Sequence, residues 1–410
     1  MQTLKKVTST YTTQILLGLF GIPIGIIIGC TDAVFGEILL KLSNIREAFP
    51  YCFIPALPIA GAVIAYCYQR FGGKSSKGMN LVFEVGHGDE EIIPLRLIPF
   101  VISGTWLTHL FGGSAGREGV AVQIGATISH WAGRHLPIKI KHAPRIFLVV
   151  GMAAGFAGLF ETPIAAVLFA MEVLVAGELK YEALFPAITA SFAASMTSKA
   201  LGLTKFTFAI SYDFSLSGMF LIKLVLLGVI FGFVGGAFAW SLKRVKQRMS
   251  NKIQDPIVRI VLIGIALSCF FLLLYGGRYS GLGTNLIENA FHNGIIFQWD
   301  WILKFVLTII TLSAGFQGGE VTPLFSIGAS LGAALAGLIG LPIPLVAALG
   351  YAAVFGSATN TLFAPVLIGA EVFGFNYLPC FFIVCAISYI FNYNNSIYPL
   401  QKNHFITNNE

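Results

Sequence analysis

Residues 112–120 read GGSAGREGV and place Arg117 and Glu118 in a glycine-rich run inside an apolar part of the chain. A carboxylate among apolar membrane segments is costly, and it typically marks an ion or proton pathway. The glycines allow the backbone to approach whatever passes. A helix that begins just after them would point its unpaired N–H groups and the positive end of its dipole at an anion. The stretch therefore predicts an anion site with a titratable Glu118 beside it.

The composition around this stretch is that of a membrane protein. The 410 residues are 56% hydrophobic and 11% charged, whereas soluble domains carry roughly 25% charged residues. The long apolar runs do not alternate, which favours helices over a barrel. Glycine or proline interrupts many of them, as is typical of discontinuous helices that meet at mid-membrane. We therefore predict an all-α polytopic membrane protein, with residues 1–410 as one transport domain and no soluble C-terminal domain.

The net charge of +7 is concentrated in three basic clusters, at residues 70–77, 134–145 and 243–252. By the positive-inside rule these clusters face the cytoplasm, and Lys5 and Lys6 predict the same side for the N-terminus. We expect both termini to be cytoplasmic in a bacterial plasma membrane, and the clusters to be topology signals rather than nucleic-acid sites. The cysteines and histidines show no metal-ligand spacing, so we expect neither a metal nor a cofactor.

Two segments of the chain resemble each other. Residues 151–173 (GMAAGFAGLFETPIAAVLFAMEV) and 350–372 (GYAAVFGSATNTLFAPVLIGAEV) align without a gap and match at ten of 23 positions. Upstream of each lies a glycine-rich loop with an acid, GREGVAVQIGA at 116–126 and GGEVTPLFSIGA at 318–329. The shared order predicts two related halves, about 10–205 and 215–400. A duplicated membrane unit with its site between the halves is the usual frame of transporters.

The GREG run, the GGEVTP loop at 318–323 and the AAGFAGLFETPIAAVLFAMEV segment together resemble the CLC family of chloride channels and anion/proton antiporters. The resemblance implies inverted halves, a homodimer with one pore per subunit, and an anion held at the N-termini of broken helices. It implies that Glu118 is the gating glutamate and that Tyr398, in SIYPL, offers its hydroxyl to the anion. The resemblance implies an anion site formed by eight residues: Gly78, Met79, Arg117, Gly119, Val120, Val321, Thr322 and Tyr398.

Three departures from the family pattern resemble its fluoride/proton antiporter branch. Met79, in KGMNL, stands where most members carry a serine. Val173 follows Glu172 where chloride/proton exchangers have a second glutamate, so that proton acceptor is missing. The second loop carries Glu320 and Thr322 where apolar residues are usual. We therefore expect a fluoride/proton antiporter that exports fluoride, with a chloride/proton exchanger or a chloride channel as the alternative.

Each site residue also has a plainer interpretation. Glu320 is a candidate second proton carboxyl or hydrogen-bond partner of Glu118, but it also suits a helix cap. Thr322 can donate to fluoride or a carboxylate, or cap a helix. Met79 can simply pack, and Tyr398 can be an interfacial tyrosine. A Glu118–Arg117 ion pair is not expected, because adjacent helical side chains do not face each other.

Two other function classes have weaker support. The GGSAG run fits the GxSxG nucleophile pattern around Ser114, but that elbow follows a strand, and membrane helices flank it here. We therefore do not expect an enzyme. A membrane scaffold or sensor would not need charged, duplicated glycine loops. The expected partners are fluoride and protons, with chloride as the alternative anion, together with the lipid bilayer and a second copy of the chain; no nucleic acid is expected.

Overall fold

The computed structural model describes residues 2–136, 140, 142–160, 162–292 and 294–403, with side chains from residue 11 onward. Long apolar runs satisfy their backbone polar groups within helices, and most of the described chain is helical. The first half contains α1 (Gln2–Ala48), α2 (Pro50–Phe53), α3 (Leu57–Cys67), α4 (Met79–His87), α5 (Leu97–Leu110), α6 (Glu118–Arg134), α7 (Ala143–Leu159), α8 (Pro163–Glu172) and α9 (Leu184–Ala200). The second contains α10 (Gly218–Lys252), α11 (Pro256–Leu273), α12 (Thr284–Phe291), α13 (Asp300–Ala314), α14 (Val321–Ile339), α15 (Ile343–Thr359), α16 (Phe363–Phe373) and α17 (Leu378–Ile390).

Short turns and one tiny strand pair complete the fold. The 3₁₀ turns are Ile54–Ala56, Gly73–Lys77, Tyr181–Ala183, Tyr275–Gly277 and Phe375–Tyr377, and Tyr68–Gly72 is a π turn. Two-residue strands, β1 (Val175–Ala176) and β2 (Lys402–Asn403), pair in parallel. This pairing ties the C-terminal segment that carries Tyr398 to the end of α8, and it is a small addition to the predicted all-α fold.

The helices are long enough to cross a membrane in some places and broken in others. Within the described residues, five apolar stretches are long enough to span: Tyr11–Ala48, Pro50–His87, Gly218–Lys252, Pro256–Leu273 and Val321–Ile339. Others, such as Pro163–Glu172 and Phe363–Phe373, are apolar but too short to cross alone, since about 20 residues are needed. The predicted polytopic all-α fold with discontinuous helices is confirmed.

Two glycine crossings bring the central helices together. A Cβ added to Gly125 of α6 would collide with the carbonyl oxygen of Gly151 in α7. A Cβ added to Gly328 of α14 would collide with the carbonyl oxygen of Gly350 in α15. Only glycine allows the backbones to pack this closely. The two crossings fix how α6 and α14 lie in the core, and therefore where the loops before them meet.

Candidate anion site

The two glycine loops pair directly. Gly116 N donates to Gly319 O at 2.6 Å, and Gly319 N donates to Gly116 O at 2.8 Å, forming an antiparallel bridge. The bridge sets the starts of α6 and α14 side by side at the centre of the bundle. Backbone N–H groups in a first helical turn have no intrahelical acceptor, so the two starts together offer donors to a negative charge.

The carboxylate of Glu118 takes up those donors. Its side chain is 1% exposed. Its Oε2 accepts hydrogen bonds from Thr322 N at 3.0 Å, from Arg117 N at 3.2 Å, and from the Thr322 hydroxyl. If the Glu118 carboxylate moved away, these N–H and O–H groups would be free to donate to an anion. Two roles were predicted for Thr322, donation to fluoride or a carboxylate and helix capping. The structure shows its hydroxyl donating to a carboxylate.

Arg117 lies closer to Glu118 than we predicted from the sequence. Its Nε is 3.6 Å from Glu118 Oε1, and the expectation that the two side chains do not face each other is wrong. The reason is that Arg117 is the N-cap of α6, with φ −121° and ψ −20°, so it lies outside the helix whose geometry would separate them. Its Nε and Nη1 have no hydrogen-bond partner among the described residues, so the guanidinium remains open to a further anion.

The remaining backbone positions of the predicted site divide into used and available donors. Val120 N donates to Arg117 O at 3.1 Å. This amide is therefore used within the first helical turn and, contrary to the expectation, does not face an anion. Gly119 and Val321 lie in the first turns of α6 and α14. First-turn N–H groups have no intrahelical acceptor, so the Gly119 N–H and the Val321 N–H can donate to an anion.

A cavity of about 570 Å³ reaches the site from one side. Five predicted site residues line it: Gly78, Met79, Gly119, Glu320 and Tyr398. Arg117, Glu118 and Thr322 do not line it, but their neighbours Gly119 and Glu320 do. The basic residues Lys77, Lys243, Lys246 and Arg259 also line the cavity, which makes it attractive to anions.

Glu320 occupies the N-cap position of α14 but makes no side-chain cap hydrogen bond. The capping interpretation is therefore wrong. No hydrogen bond joins it to Glu118 among the described residues either, because Thr322 supplies the contact from that helix. The carboxylate instead faces the cavity, where it shares the wall with Lys246. An acid positioned there can exchange protons with solvent in the cavity.

Met79 is the first residue of α4, and Gly78 before it has φ +54°. This left-handed conformation favours glycine and turns the chain into the helix beside the cavity.

Sequence reasoning missed Gln123, whose Nε2 donates to Gly119 O at 3.2 Å. Its Oε1 is buried without a hydrogen-bond partner among the described residues and lies beside Gly78. A lone amide in the apolar run after GREG was the available signal.

Tyr398 is buried against aromatic rings rather than placed at an interface. Its ring stacks on Phe83 with centroids 5.2 Å apart and meets Phe169 edge-on at 6.5 Å. Tyr393 is 72% exposed, and neither it nor Tyr389 lines the cavity. Tyr398 is thus the one of these three tyrosines at the site, and Phe83 serves as its packing partner.

Tyr351 is a second residue that sequence reasoning missed. Its side chain is 1% exposed, and its ring stacks on Phe325 of α14 with centroids 4.0 Å apart. In the repeat alignment Tyr351 is matched with Met152. The available signal in the sequence was therefore a polar hydroxyl at one of two matched positions.

Ser114 has a structural role: its Oγ accepts from the Lys304 ammonium at 2.9 Å and bonds the Thr308 hydroxyl at 2.8 Å.

A bundle of broken apolar helices, with two helix starts meeting at a buried carboxylate, defines a polytopic membrane protein built as secondary transporters are. The family model described as voltage gated chloride channel matches residues 60–393. The chain belongs to this family, the CLC family of membrane ion channels and transporters. The resemblance read from the glycine loops is confirmed.

Similar proteins carry both chloride and fluoride in their names. A "Chloride/fluoride channel protein" of Pseudomonas syringae pv. tomato is 35% identical over 385 residues, covering 92% of this chain and 84% of the relative. A structure described as a CLC-type fluoride/proton antiporter is 55% identical, with a TM-score of 0.93, covering 96% of this chain and 99% of that one. A slow cyanobacterial Cl⁻/H⁺ antiporter shares the fold at 19% identity, with a TM-score of 0.80, 92% of this chain and 94% of that one.

Proposed function

We propose that this protein is a fluoride/proton antiporter that exports fluoride from the cytoplasm in exchange for protons. The observation that carries the proposal is the triple acceptance by Glu118 Oε2, from Thr322 N, Arg117 N and the Thr322 hydroxyl. These donors suit a small hydrated anion, whose water must be replaced by dense hydrogen bonds. A structure 55% identical to this chain is described as a fluoride/proton antiporter, which supports the same assignment.

The proposed cycle uses competition between a carboxylate and fluoride for the same donors. Ionised Glu118 holds the donors and excludes the anion. A protonated Glu118 no longer accepts as an anion does, so it leaves and fluoride takes its place among Arg117, Gly119, Val321 and Thr322. Exchange follows when Glu118 takes up its proton from the outside before fluoride enters from the cytoplasm, and releases that proton to the cytoplasm as fluoride leaves to the outside. No covalent step is involved.

Residues in the cavity wall complete the proposed path. Glu320 exchanges protons with the cavity and replaces the acid missing at Val173. Tyr398 supplies a hydroxyl to fluoride on its way past Gly78. Met79 has no hydroxyl where most family members carry a serine. The path beside it therefore has one donor fewer, which disfavours stable binding of chloride. The basic wall around Lys246 supports a cavity that opens to the cytoplasm, by the positive-inside rule.

The larger assembly follows from the same reasoning. We propose one transport domain over residues 1–410 with related halves at about 10–205 and 215–400. The recurrence of loop, α6, α7 and α8 as loop, α14, α15 and α16 supports this division. An apolar cleft on α8, α16 and α17 supports a homodimer contact in a bacterial plasma membrane.

Reconstitution into liposomes tests the function. With a fluoride electrode and a pH probe in the same assay, we expect fluoride efflux driven by an imposed pH gradient and matched by proton uptake. Glu118→Gln should abolish the exchange of protons. Fluoride flow that ignores the pH gradient would contradict antiport and indicate a channel. Chloride flux as large as fluoride flux would favour the chloride alternative, which the name of the Pseudomonas relative keeps relevant.

A further inference from the structure

A second cleft, of about 380 Å³, lies where the end of α4, the start of α7 and the β1–β2 pair meet. It shares no lining residue with the anion cavity. All but one of the ionisable side chains that line it are histidine or cationic: His87, His142, Arg145, Lys180, Glu182 and Lys402. A cleft with such a wall concentrates positive potential. It is therefore a separate candidate site for a negatively charged ligand.

The cations of this cleft come from four distant parts of the chain. The residues at the start of α7 belong to the basic cluster at 134–145, whereas His87, Lys180 and Lys402 lie outside all three basic clusters. The positive-inside rule requires cations in the loops on one side of the membrane, but it does not require them to line one cavity. Their convergence favours a ligand over a topology signal alone.

One carbonyl group joins two walls of the cleft. Leu174 O accepts a hydrogen bond from Lys402 N at 3.2 Å and lies 3.1 Å from His87 Nε2. A carbonyl oxygen can only accept, so His87 Nε2 carries the hydrogen of this bond. The end of α4 and the strand β2 are thus held together beside β1, and the cleft is formed before any ligand binds.

Two cations of the cleft are available to a ligand. Lys180 already pairs with Glu178 at 2.6 Å. Arg145 and Lys402 are exposed and, within the described part of the chain, make no side-chain hydrogen bond or ion pair. The Arg145 guanidinium lies against Gly88, the left-handed C-cap of α4, where an added Cβ would collide with it. A ligand between these two cations would contact both α7 and β2.

The chemistry of the wall suits a phosphate ester. A guanidinium binds phosphate through two parallel N–H donors, and an ammonium binds it as a point charge. A dianionic phosphate gains more from several converging cations than a carboxylate with one charge does. The volume of the cleft lies within the roughly 300–1,000 Å³ of small-molecule sites, and Ile146, Val149 and Leu174 add apolar wall. The cleft therefore has room for the organic part of the ester.

We propose that this cleft binds a phosphate ester on the face that the basic clusters assign to the cytoplasm, with Arg145 and Lys402 as the main ligands of the phosphate group. A lipid headgroup and a small soluble ester share this chemistry, and the experiment distinguishes them. The bound phosphate connects the start of α7 to β2, the strand that follows the segment carrying Tyr398. The inference does not depend on the proposed role of Glu118.

Isothermal titration calorimetry on the detergent-solubilised protein tests a soluble source, with glycerol phosphate and inorganic phosphate as probes. Saturable binding should weaken as salt is added. In Arg145→Gln/Lys402→Gln the dissociation constant should rise about 10- to 30-fold, the size expected when two cations beside a phosphate are lost. Arg248→Gln/Lys252→Gln is the matched control, because it also removes one Arg and one Lys, from exposed positions near the end of α10 outside the cleft. It should bind as wild type does.

Native mass spectrometry tests a lipid source. The same three proteins are mixed with phosphatidic acid or with phosphatidylcholine, whose choline neutralises the phosphate. If the ester is a headgroup, wild type and the control retain phosphatidic acid over phosphatidylcholine, and the cleft variant does not. Binding in the calorimetric experiment alone assigns a soluble ester, and retention of phosphatidic acid alone assigns a lipid.

Two results overturn the inference. One is that neither experiment detects binding to wild type. The other is that both double variants lose binding equally, since attraction to any basic surface would then explain it. Thermal unfolding without phosphate should coincide for all three proteins, and phosphate should raise the unfolding temperature of wild type more than that of the cleft variant.

Lys402→Gln alone gives the same test should the cleft double variant fail to fold, with binding about 5-fold weaker than in wild type. Binding equal to that of wild type in this single variant also counts against the assignment of Lys402. Fluoride flux enters neither measurement, so a failure of the proposed transport function is recognised separately from a failure of this inference.

Discussion

Glu172 and Glu371 each bind the N-terminus of the helix that contains the other. Glu172, the last residue of α8, accepts from Leu362 N, Phe363 N and Ala364 N at the start of α16. Glu371, in the last turn of α16, accepts from Ile164 N and Ala165 N at the start of α8. The two short helices thus run antiparallel and compensate each other's dipoles. Each glutamate therefore caps a helix of the opposite half.

These reciprocal caps predict a measurable stability effect. Glu172→Gln and Glu371→Gln should each lower the free energy of unfolding by about 1 kcal/mol, as loss of a helix cap does. Thermal unfolding in detergent measures the change. Glu288→Gln, at an exposed position of α12, is the control and should unfold as wild type does. Melting curves that coincide for all four proteins would show that the caps contribute nothing.

The Thr322 hydroxyl predicts a loss of transport without a loss of fold. Thr322→Val keeps the shape of the side chain and the backbone donor but removes the hydroxyl that binds Glu118. A hydrogen bond to a charged group contributes about 1.5–3 kcal/mol, so fluoride turnover should fall by roughly 10- to 100-fold.

Ser330→Ala is the control for this change. The Ser330 hydroxyl is also buried on α14, but among the described residues it bonds its own helix, at Ser326 O and Ile327 O. Its turnover should stay within about two-fold of wild type, since a bond within its own helix leaves the donors at Glu118 intact. Turnover retained in Thr322→Val, measured with the same fluoride electrode, would show that the hydroxyl is not a transport ligand.

The sequence predicts well those features that are determined by residues adjacent in the chain. Glu118 was found because it follows a glycine loop, and such a loop indicates a helix start near an anion. Thr322 was named because it departs from the family pattern in the second loop. The partners of Glu172 and Glu371 were not predictable, because they depend on how α8 and α16 cross from halves some 199 residues apart. Gln123 was missed although its signal was local, a single amide side chain in the apolar run after GREG.

Glu320 predicts a separation between fluoride movement and proton coupling. It lines the cavity and makes no cap hydrogen bond, so Glu320→Gln removes a titratable group without disturbing the start of α14. We expect the number of protons exchanged per fluoride to fall while the protein stays folded. Simultaneous electrode and pH recordings measure this ratio. An unchanged ratio would remove Glu320 from the proton path and leave Glu118 as its sole carboxyl.

Tyr398 allows the hydroxyl to be tested apart from the ring. In Tyr398→Phe the stacking on Phe83 and the contact with Phe169 remain, so the thermal stability should match wild type. The cavity loses one O–H donor, and the fluoride concentration for half-maximal flux should rise about 5- to 10-fold, which corresponds to a neutral hydrogen bond of about 1 kcal/mol.

Tyr393→Phe makes the same chemical change on a side chain that is 72% exposed and outside the cavity wall. Its concentration dependence should overlay that of wild type, because the exposed Tyr393 hydroxyl lies outside the cavity wall. If Tyr398→Phe and Tyr393→Phe behave alike, the hydroxyl at the inner cavity does not bind fluoride. The anion would then be held by the backbone donors of α6 and α14 and the Thr322 hydroxyl alone.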